Sequence, residues 1–151
     1  MVSQLPSPEQ FFNKIPCLCG VMLVASRAVS RLYNEELRSS GLEVTQYSML
    51  VALQAIGPTP AGVLGARLAV DKTTISRNLK VLLRNGWATV EQGADGREKL
   101  VSLSRRGSSK IEAARPGWDR AQERMRAALS AGTFEALRRQ LSSVAAAALS
   151  A

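Results

Sequence analysis

The stretch Leu64–Arg84, LGARLAVDKTTISRNLKVLLR, decides the reading of this chain. It predicts a short helix ending near Leu68, a tight turn through Ala69-Val70, and a second helix opening at Asp71. Asp71 suits the N-cap position, because its carboxylate can accept the free N–H groups of Thr73 and Thr74. Behind it Ile75, Leu79 and Leu82 recur at i, i+4 and i+7, one apolar stripe of a helix. The opposite side carries Thr73, Arg77, Lys80 and Arg84 at helical spacing, with Lys72, Thr74 and Ser76 beside them. Gly86 stands where a left-handed C-cap belongs.

That polar face has short hydroxyls near the helix start, long cations further along, and no acid after Asp71. Hydroxyls and free N–H groups at a helix start hold phosphates, and Arg or Lys reaches phosphates or guanine edges in a major groove. Two helices joined by so short a turn, the second bearing that face, describe a helix-turn-helix. The plain alternative is a solvated basic face on a core helix. The segment after Gly86 weighs against it. In Trp87–Ser104, WATVEQGADGREKLVSLS, the β-prone run Ala88–Val90 and the alternating run Leu100–Leu103 flank the turn residues Gly93–Gly96. This β-hairpin directly succeeds the recognition helix and carries Arg97 and Lys99 near its tip, with Asp95 placed to brace Arg97. Such a wing can put an arginine into a narrow minor groove.

These residues resemble the MarR-type winged helix-turn-helix regulators. That family shows a D-x-[ST]-T-[VI]-[ST]-R segment, an L-x-x-x-G turn, a wing with D-x-R, and a V-x-L-[ST]-x-x-G exit. Asp71, Thr73, Thr74, Ile75, Ser76, Arg77, Asp95, Arg97, Ser104 and Gly107 fall on those positions. Two features depart from the pattern. Gly62 and Gly65 weaken the helix before the turn by about 1 kcal/mol each against Ala, and the wing has one arginine where the family often has two in a row. The resemblance implies double-stranded DNA as partner, with Lys72, Thr73, Thr74, Ser76, Arg77, Lys80, Arg84, Asp95, Arg97 and Lys99 as the contact set. It also implies a homodimer with intertwined first, fifth and sixth helices.

The whole chain sets outer bounds. Its 151 residues suffice for one domain with a core. Twenty basic against 12 acidic residues leave a net charge of +8, which calls for a polyanionic partner without choosing nucleic acid over an anionic membrane surface. No run approaches the roughly 18 apolar residues of a spanning helix, and no signal pattern opens the chain, so a cytoplasmic protein without a membrane partner is expected. The chain has no histidine and no Gly-rich phosphate loop, which removes His-containing zinc sites, Ser/His or Cys/His catalysis and nucleotide fingerprints. Neither an enzyme nor a cofactor is expected.

Residues 1–16 read as an arm, with three prolines and little periodicity. Cys17–Arg38 reads as a helix with a wide apolar stripe from Leu18 to Leu37, ended by Ser39-Ser40-Gly41. Thr45 is the expected cap of the next helix, whose inner face is Tyr47, Leu50, Val51 and Leu53. Thr59-Pro60 is read as N-cap and N1 of the third. After the wing, Ser104 opens a long tract that Pro116-Gly117 interrupts, predicting a kink near Ala113. A last helix, capped near Thr133, carries Phe134, Leu137, Leu141 and Val144. The expected fold is mainly α with a small β-hairpin wing: one domain over 1–151, a winged helix-turn-helix over 45–104, and a helical dimerisation region over 17–40 and 104–149. The terminal apolar faces exceed what a compact head can bury. A two-fold dimer would bury them and present two recognition helices to a palindromic operator.

One chemical feature remains, Cys17-Leu18-Cys19 at the start of the first long helix. Helix starts are where nucleophilic thiolates form, and two thiols two residues apart on a helix diverge. Within the family this segment resembles the peroxide-sensing OhrR branch. Cys19 and Ala25-Ser26-Arg27 match in spacing and Tyr33 falls on a family tyrosine, while Leu23 and Val44 stand where that branch has tyrosines. Cys19, then Cys17, with Tyr33, are therefore the candidate redox or effector residues. The alternatives are apolar packing and capture of a soft metal. The expected function is a homodimeric transcriptional regulator, a repressor, that releases its operator on binding a small molecule or on cysteine oxidation. The competing reading is a protein-interaction module that uses a winged fold without reading DNA.

Overall fold

The computed structural model describes residues 7–94 and 96–150. Among them run α1 (Pro8–Phe12), α2 (Leu18–Leu37), α3 (Val44–Ile56), β1 (Thr59–Pro60), α4 (Ala61–Arg67), α5 (Lys72–Arg84), β2 (Ala88–Gln92), β3 (Lys99–Leu103), α6 (Arg105–Leu129) and α7 (Ala131–Ser150). The mainly helical fold with a small wing is the one the sequence led us to expect. The helix-turn-helix is α4, a turn through Ala69-Val70, and α5. Ala69 takes φ +52° to make that turn, and the Val70 N–H closes it on the Gly65 carbonyl at 2.9 Å.

The core belongs to the middle of the chain. Leu37, Leu50, Leu53, Leu64, Leu82 and Ile111 are the largest fully buried side chains, one or two from each helix between α2 and α6. Truncating one such leucine to alanine costs about 2–5 kcal/mol. Tyr47 stacks on Trp118 of α6 at 6.3 Å between ring centroids.

α6 is fastened at two places. Its N-cap Ser104 donates from Oγ to the Gly86 carbonyl at 2.6 Å and accepts from the Gly107 N–H at 2.9 Å. There the backbones close so far that a Cβ on Gly107 would sit 2.0 Å from the Trp87 carbonyl oxygen. Three turns on, a Cβ on Gly117 would lie 2.5 Å from the Glu36 carbonyl oxygen. Beside it Arg120 and Arg124 each reach the Glu36 carboxylate at 2.8 Å, and these bonds, Arg120 first, hold that carboxyl below its usual range.

Several local expectations need correction. The arm contains α1, because Ser7 and Gln10 form a reciprocal capping box around Pro8 at N1. α3 begins at Val44, before Thr45; its first N–H donates to Asn34 Oδ1 of α2 at 2.7 Å, and the Glu43 N–H donates to Gln46 Oε1. On its inner face Met49 is buried and Val51 is exposed. Thr59-Pro60 is not a helix start but an edge strand, paired with Val101 and Leu100; the missing proline N–H is tolerated at an edge. The wing is thus a three-stranded antiparallel sheet in the order β1-β3-β2. α6 continues through Pro116-Gly117 as one helix of 25 residues, so the proline does not interrupt it, and a bend near Ala113 is compatible with that continuity. Pro116 and Glu112, whose carbonyl loses its helical partner, are both exposed, so water can satisfy the gap. α7 starts at Ala131 after Ser130, whose Oγ rather than that of Thr133 faces the free helix end, at 3.5 Å from the Thr133 N–H.

Candidate nucleic-acid interface

α5 is built from its cap outward. Asp71 accepts the Thr73 and Thr74 N–H groups, each at 2.9 Å, and the Thr74 hydroxyl at 2.7 Å. These bonds, with Thr74's first, hold the Asp71 carboxyl below its usual range. The acid that opens the helix is therefore absorbed locally. Ile75, Leu79 and Leu82 are buried, which fixes the opposite face outward. Gly86, at φ +67°, ends the element as a left-handed turn.

The outward face forms a groove. Lys72, Thr73, Ser76, Arg77 and Lys80 line one shallow depression of about 410 Å³. A second, apolar groove of about 450 Å³ lies between α5 and the sheet; its floor includes Leu79 and Val101, and Lys72, Lys80 and Lys99 edge it. Lys99 of the wing is thereby brought beside the recognition helix. Arg84 is exposed on the last turn of α5, outside both depressions, and Arg97 is exposed in the turn between β2 and β3. Asp95 lies outside the described residues. Among the described residues, no carboxylate forms an ion pair with Lys72, Arg77, Lys80, Arg84 or Lys99. Unneutralised cations along one groove are the electrostatic footprint of a polyanion site.

Thr74, expected among the contact residues, lies at the edge of the outward face. It is half-buried, its hydroxyl is bound to Asp71, and it lines a cavity on the other flank of α5. That cavity, about 240 Å³ between α2, α3, the turn and α5, was not legible in the sequence, because Ser30, the pair Thr45 and Ser48, and Asn78 come from three separate stretches. No local pattern connects them.

The candidate effector residues do not converge within one chain. Cys17 and Cys19 are free and exposed, and the helix-start bond falls to Cys17, whose Sγ accepts the Gly20 N–H at 3.2 Å. Tyr33 is buried further along α2; burial raises its hydroxyl above the ordinary tyrosine range, with nearby Arg126 opposing. Fourteen residues separate it from Cys19, about 21 Å along a helix. Tyr33 instead lines an apolar cavity of about 210 Å³ with Val29, Phe134 and Leu137, where α2, α6 and α7 meet. Among the described residues no cluster of His, Cys, Asp or Glu could hold a metal ion. No helix there is long and apolar enough to cross a membrane.

Residues 40–98 match the model of the MarR family. The multiple antibiotic resistance protein MarR of Salmonella typhimurium is 30% identical over 122 residues, covering 79% of this chain and 85% of that protein. The chain belongs to the MarR family. Similarity also extends to the uncharacterized HTH-type transcriptional regulator YwoH of Bacillus subtilis, 38% identical over 88 residues, 58% of this chain and 64% of that protein. Among solved structures, that of the M. tuberculosis transcriptional regulator MosR in complex with DNA superposes with a TM-score of 0.76 at 34% identity, covering 87% of this chain and 96% of that one. MarR-family relatives are transcriptional regulators, not enzymes. The groove on α5 lies within the matched residues, which end at Glu98, one residue before β3.

Proposed function

We propose that this MarR-family regulator is a cytoplasmic homodimer that binds a palindromic DNA operator as a repressor and releases it when a small molecule or an oxidant reshapes the dimer. The observation that carries the DNA reading is the groove of Lys72, Arg77 and Lys80 on a helix whose other face is buried, with no acid among the described residues paired to it. The solved structure of MosR with DNA, at 34% identity, supports the same reading. In this scheme Thr73 and Ser76 hold phosphate, Arg77 reaches a base edge, and Arg97 with Lys99 tracks the minor groove. Dimerisation uses residues 17–40 and 104–149, and is supported by the exposed Leu137 and Leu141 of α7 and Leu18, Val21 and Leu23 of α2.

Selection of duplexes from random DNA, with a salt series on the selected sites, tests it. Binding falls steeply with salt and keeps a sequence preference, and Arg77→Ala costs about 1–3 kcal/mol with the fold intact. An interaction module would show neither dependence. Equal affinity of Arg77→Ala and parent would move the contact off this groove. Release has two candidate routes. A small molecule would lodge between the dimer helices and the reading head, where the cavity of about 240 Å³ lies. An oxidant would act at the exposed thiols, a sulfenic acid or mixed disulfide adding polar bulk at the start of α2. Mild peroxide then weakens operator binding reversibly in the parent and not in Cys19→Ser or, given its cap bond, Cys17→Ser. An equal response in parent and both variants leaves only the small-molecule route.

A further inference from the structure

A second group of cations stands apart from the groove on α5. Trp87, Arg105, Arg106, Ser109 and Lys110 line a shallow depression of about 450 Å³ at the start of α6. Arg105 and Arg106 are exposed, and the first turn of α6 holds no acid. Glu112, the first acid of α6, is exposed and outside the lining. Among the described residues no carboxylate forms an ion pair with Arg105, Arg106 or Lys110. Lys110 is partly spent, since its ammonium donates to the Ser40 carbonyl and lies 4.7 Å from the Trp87 ring centroid. The guanidinium groups of Arg105 and Arg106 are what the depression offers a ligand. They are tied to the recognition helix. Ser104, just ahead of them, donates to the Gly86 carbonyl at 2.6 Å, and Arg106 lies 3.5 Å from where a Cβ on Gly86 would stand. Arg84, two residues before Gly86, ends the polar stripe of Thr73, Arg77, Lys80 and Arg84 on α5. Cations thus follow one another along α5, past its C-cap, to the start of α6.

We propose that Arg105 and Arg106 hold phosphates of the DNA flanking the sequence that α5 reads, so that each head grips one duplex at two places. This rests on the DNA reading of α5. A guanidinium matches phosphate oxygens with two parallel N–H bonds, and the positive end of the α6 dipole adds to the attraction. α5, with 13 residues, is about 20 Å long, which spans about six base steps of duplex. The phosphates at its far end are therefore not the ones that face Lys72, Arg77 and Lys80. Contacts of this kind carry no sequence information, but they fix how the reading helix is oriented on the duplex. The Ser104 bond to Gly86 makes that orientation rigid, because the second grip is fastened directly to the end of α5.

Two duplexes test it on the full-length protein: a site selected from random DNA, and the same site extended on each side by about ten base pairs, one helical turn, of unrelated sequence. The parent should bind the extended duplex more tightly. Arg105→Ala combined with Arg106→Ala should remove that advantage and leave the ranking among selected sites intact. On the extended duplex the slope of log affinity against log salt should fall by about 1 for each arginine lost from the complex. Arg105→Lys combined with Arg106→Lys should keep most of the slope, because charge sets counterion release. Circular dichroism checks the fold. Should Arg106→Ala disturb the packing on Gly86, Arg105→Ala alone decides, with half the change in slope. The inference is overturned if the parent binds both duplexes equally or if the folded alanine variants keep the parent's slope. It is equally overturned if the two arginines serve only to join separate duplexes, or an acidic protein, with binding to the single duplex unchanged. A parent without sequence preference would sink the DNA reading and this inference with it, a result that no behaviour of the arginine variants imitates.

Discussion

Leu82 on α5 and Leu141 on α7 are the same side chain in two situations. Leu82 is 0% exposed and Leu141 42% exposed, although each lies on the apolar stripe of an amphipathic helix. The difference holds for their regions. The reading head, α3 to β3, closes its core with help from Leu37 at the end of α2 and Ile111 on α6. α7 buries no residue at all, and α2 buries only Tyr33 and Leu37, near its C-terminal end. A helix of 20 residues in water with an unburied apolar stripe has little to hold it beyond propensity. The head closes its core within one chain, using the end of α2 and the first half of α6; the outer parts of the terminal helices are built to be completed, on our reading by a second copy.

The largest expected effect breaks the completed region. Deleting residues 133–151 should abolish the dimer and cost about 10²–10⁴-fold in operator affinity, the gain that linking two half-site readers supplies. Sedimentation with a DNA titration checks it. A stable, DNA-competent dimer of the deletion protein would mean that α7 is not the dimer's seam.

A smaller effect strikes the joint between the regions. Gly107→Ala forces a Cβ to within 2.0 Å of the Trp87 carbonyl oxygen, so backbone must move, at about 3 kcal/mol. Urea unfolding of the variant against the parent measures it. A loss that small surface substitutions also produce would show the joint to be loose, and the two regions to be coupled elsewhere.

The smallest effect stays inside the head. Asp71→Ala should lower the melting temperature by a few degrees at neutral pH through loss of the cap. The folded Asp71 carboxyl is held below its ordinary value, so its contribution is fully present above that value and is lost as pH falls through the folded one. The parent and variant curves should therefore converge below about pH 4. A difference that persists in stronger acid would assign the effect to something other than the ionised cap.

The head was largely legible in the sequence because its signals are local. Asp71 caps its own helix, Ile75-Leu79-Leu82 repeats within one element, and the hairpin turn lies between its own strands. What escaped was fixed at a distance. β1 is a strand only because Val101 and Leu100, some forty residues on, pair with it. α3 starts where Asn34 can reach its first N–H. The cavity that Thr74 also lines is assembled from α2, α3 and α5, and no single stretch announces it. The cysteine segment gave a chemical signal without a geometric one: within a single chain Tyr33 is about 21 Å along the helix from Cys19.

The unbroken run of α6 has a mechanical consequence. It is fastened to the wing exit through Ser104 and Gly107 and to the end of α2 through Gly117, Arg120 and Arg124. Twenty-five residues make a strut about 37 Å long. Pivoting such a strut by roughly 5° about one end carries the other through about 3 Å, close to the 3.4 Å step between neighbouring base pairs along DNA. In a two-fold assembly both struts swing together and the displacement between the heads doubles. On our reading of a dimer, a small rearrangement near the terminal helices would arrive at the grooves magnified, as a misfit of more than one base step.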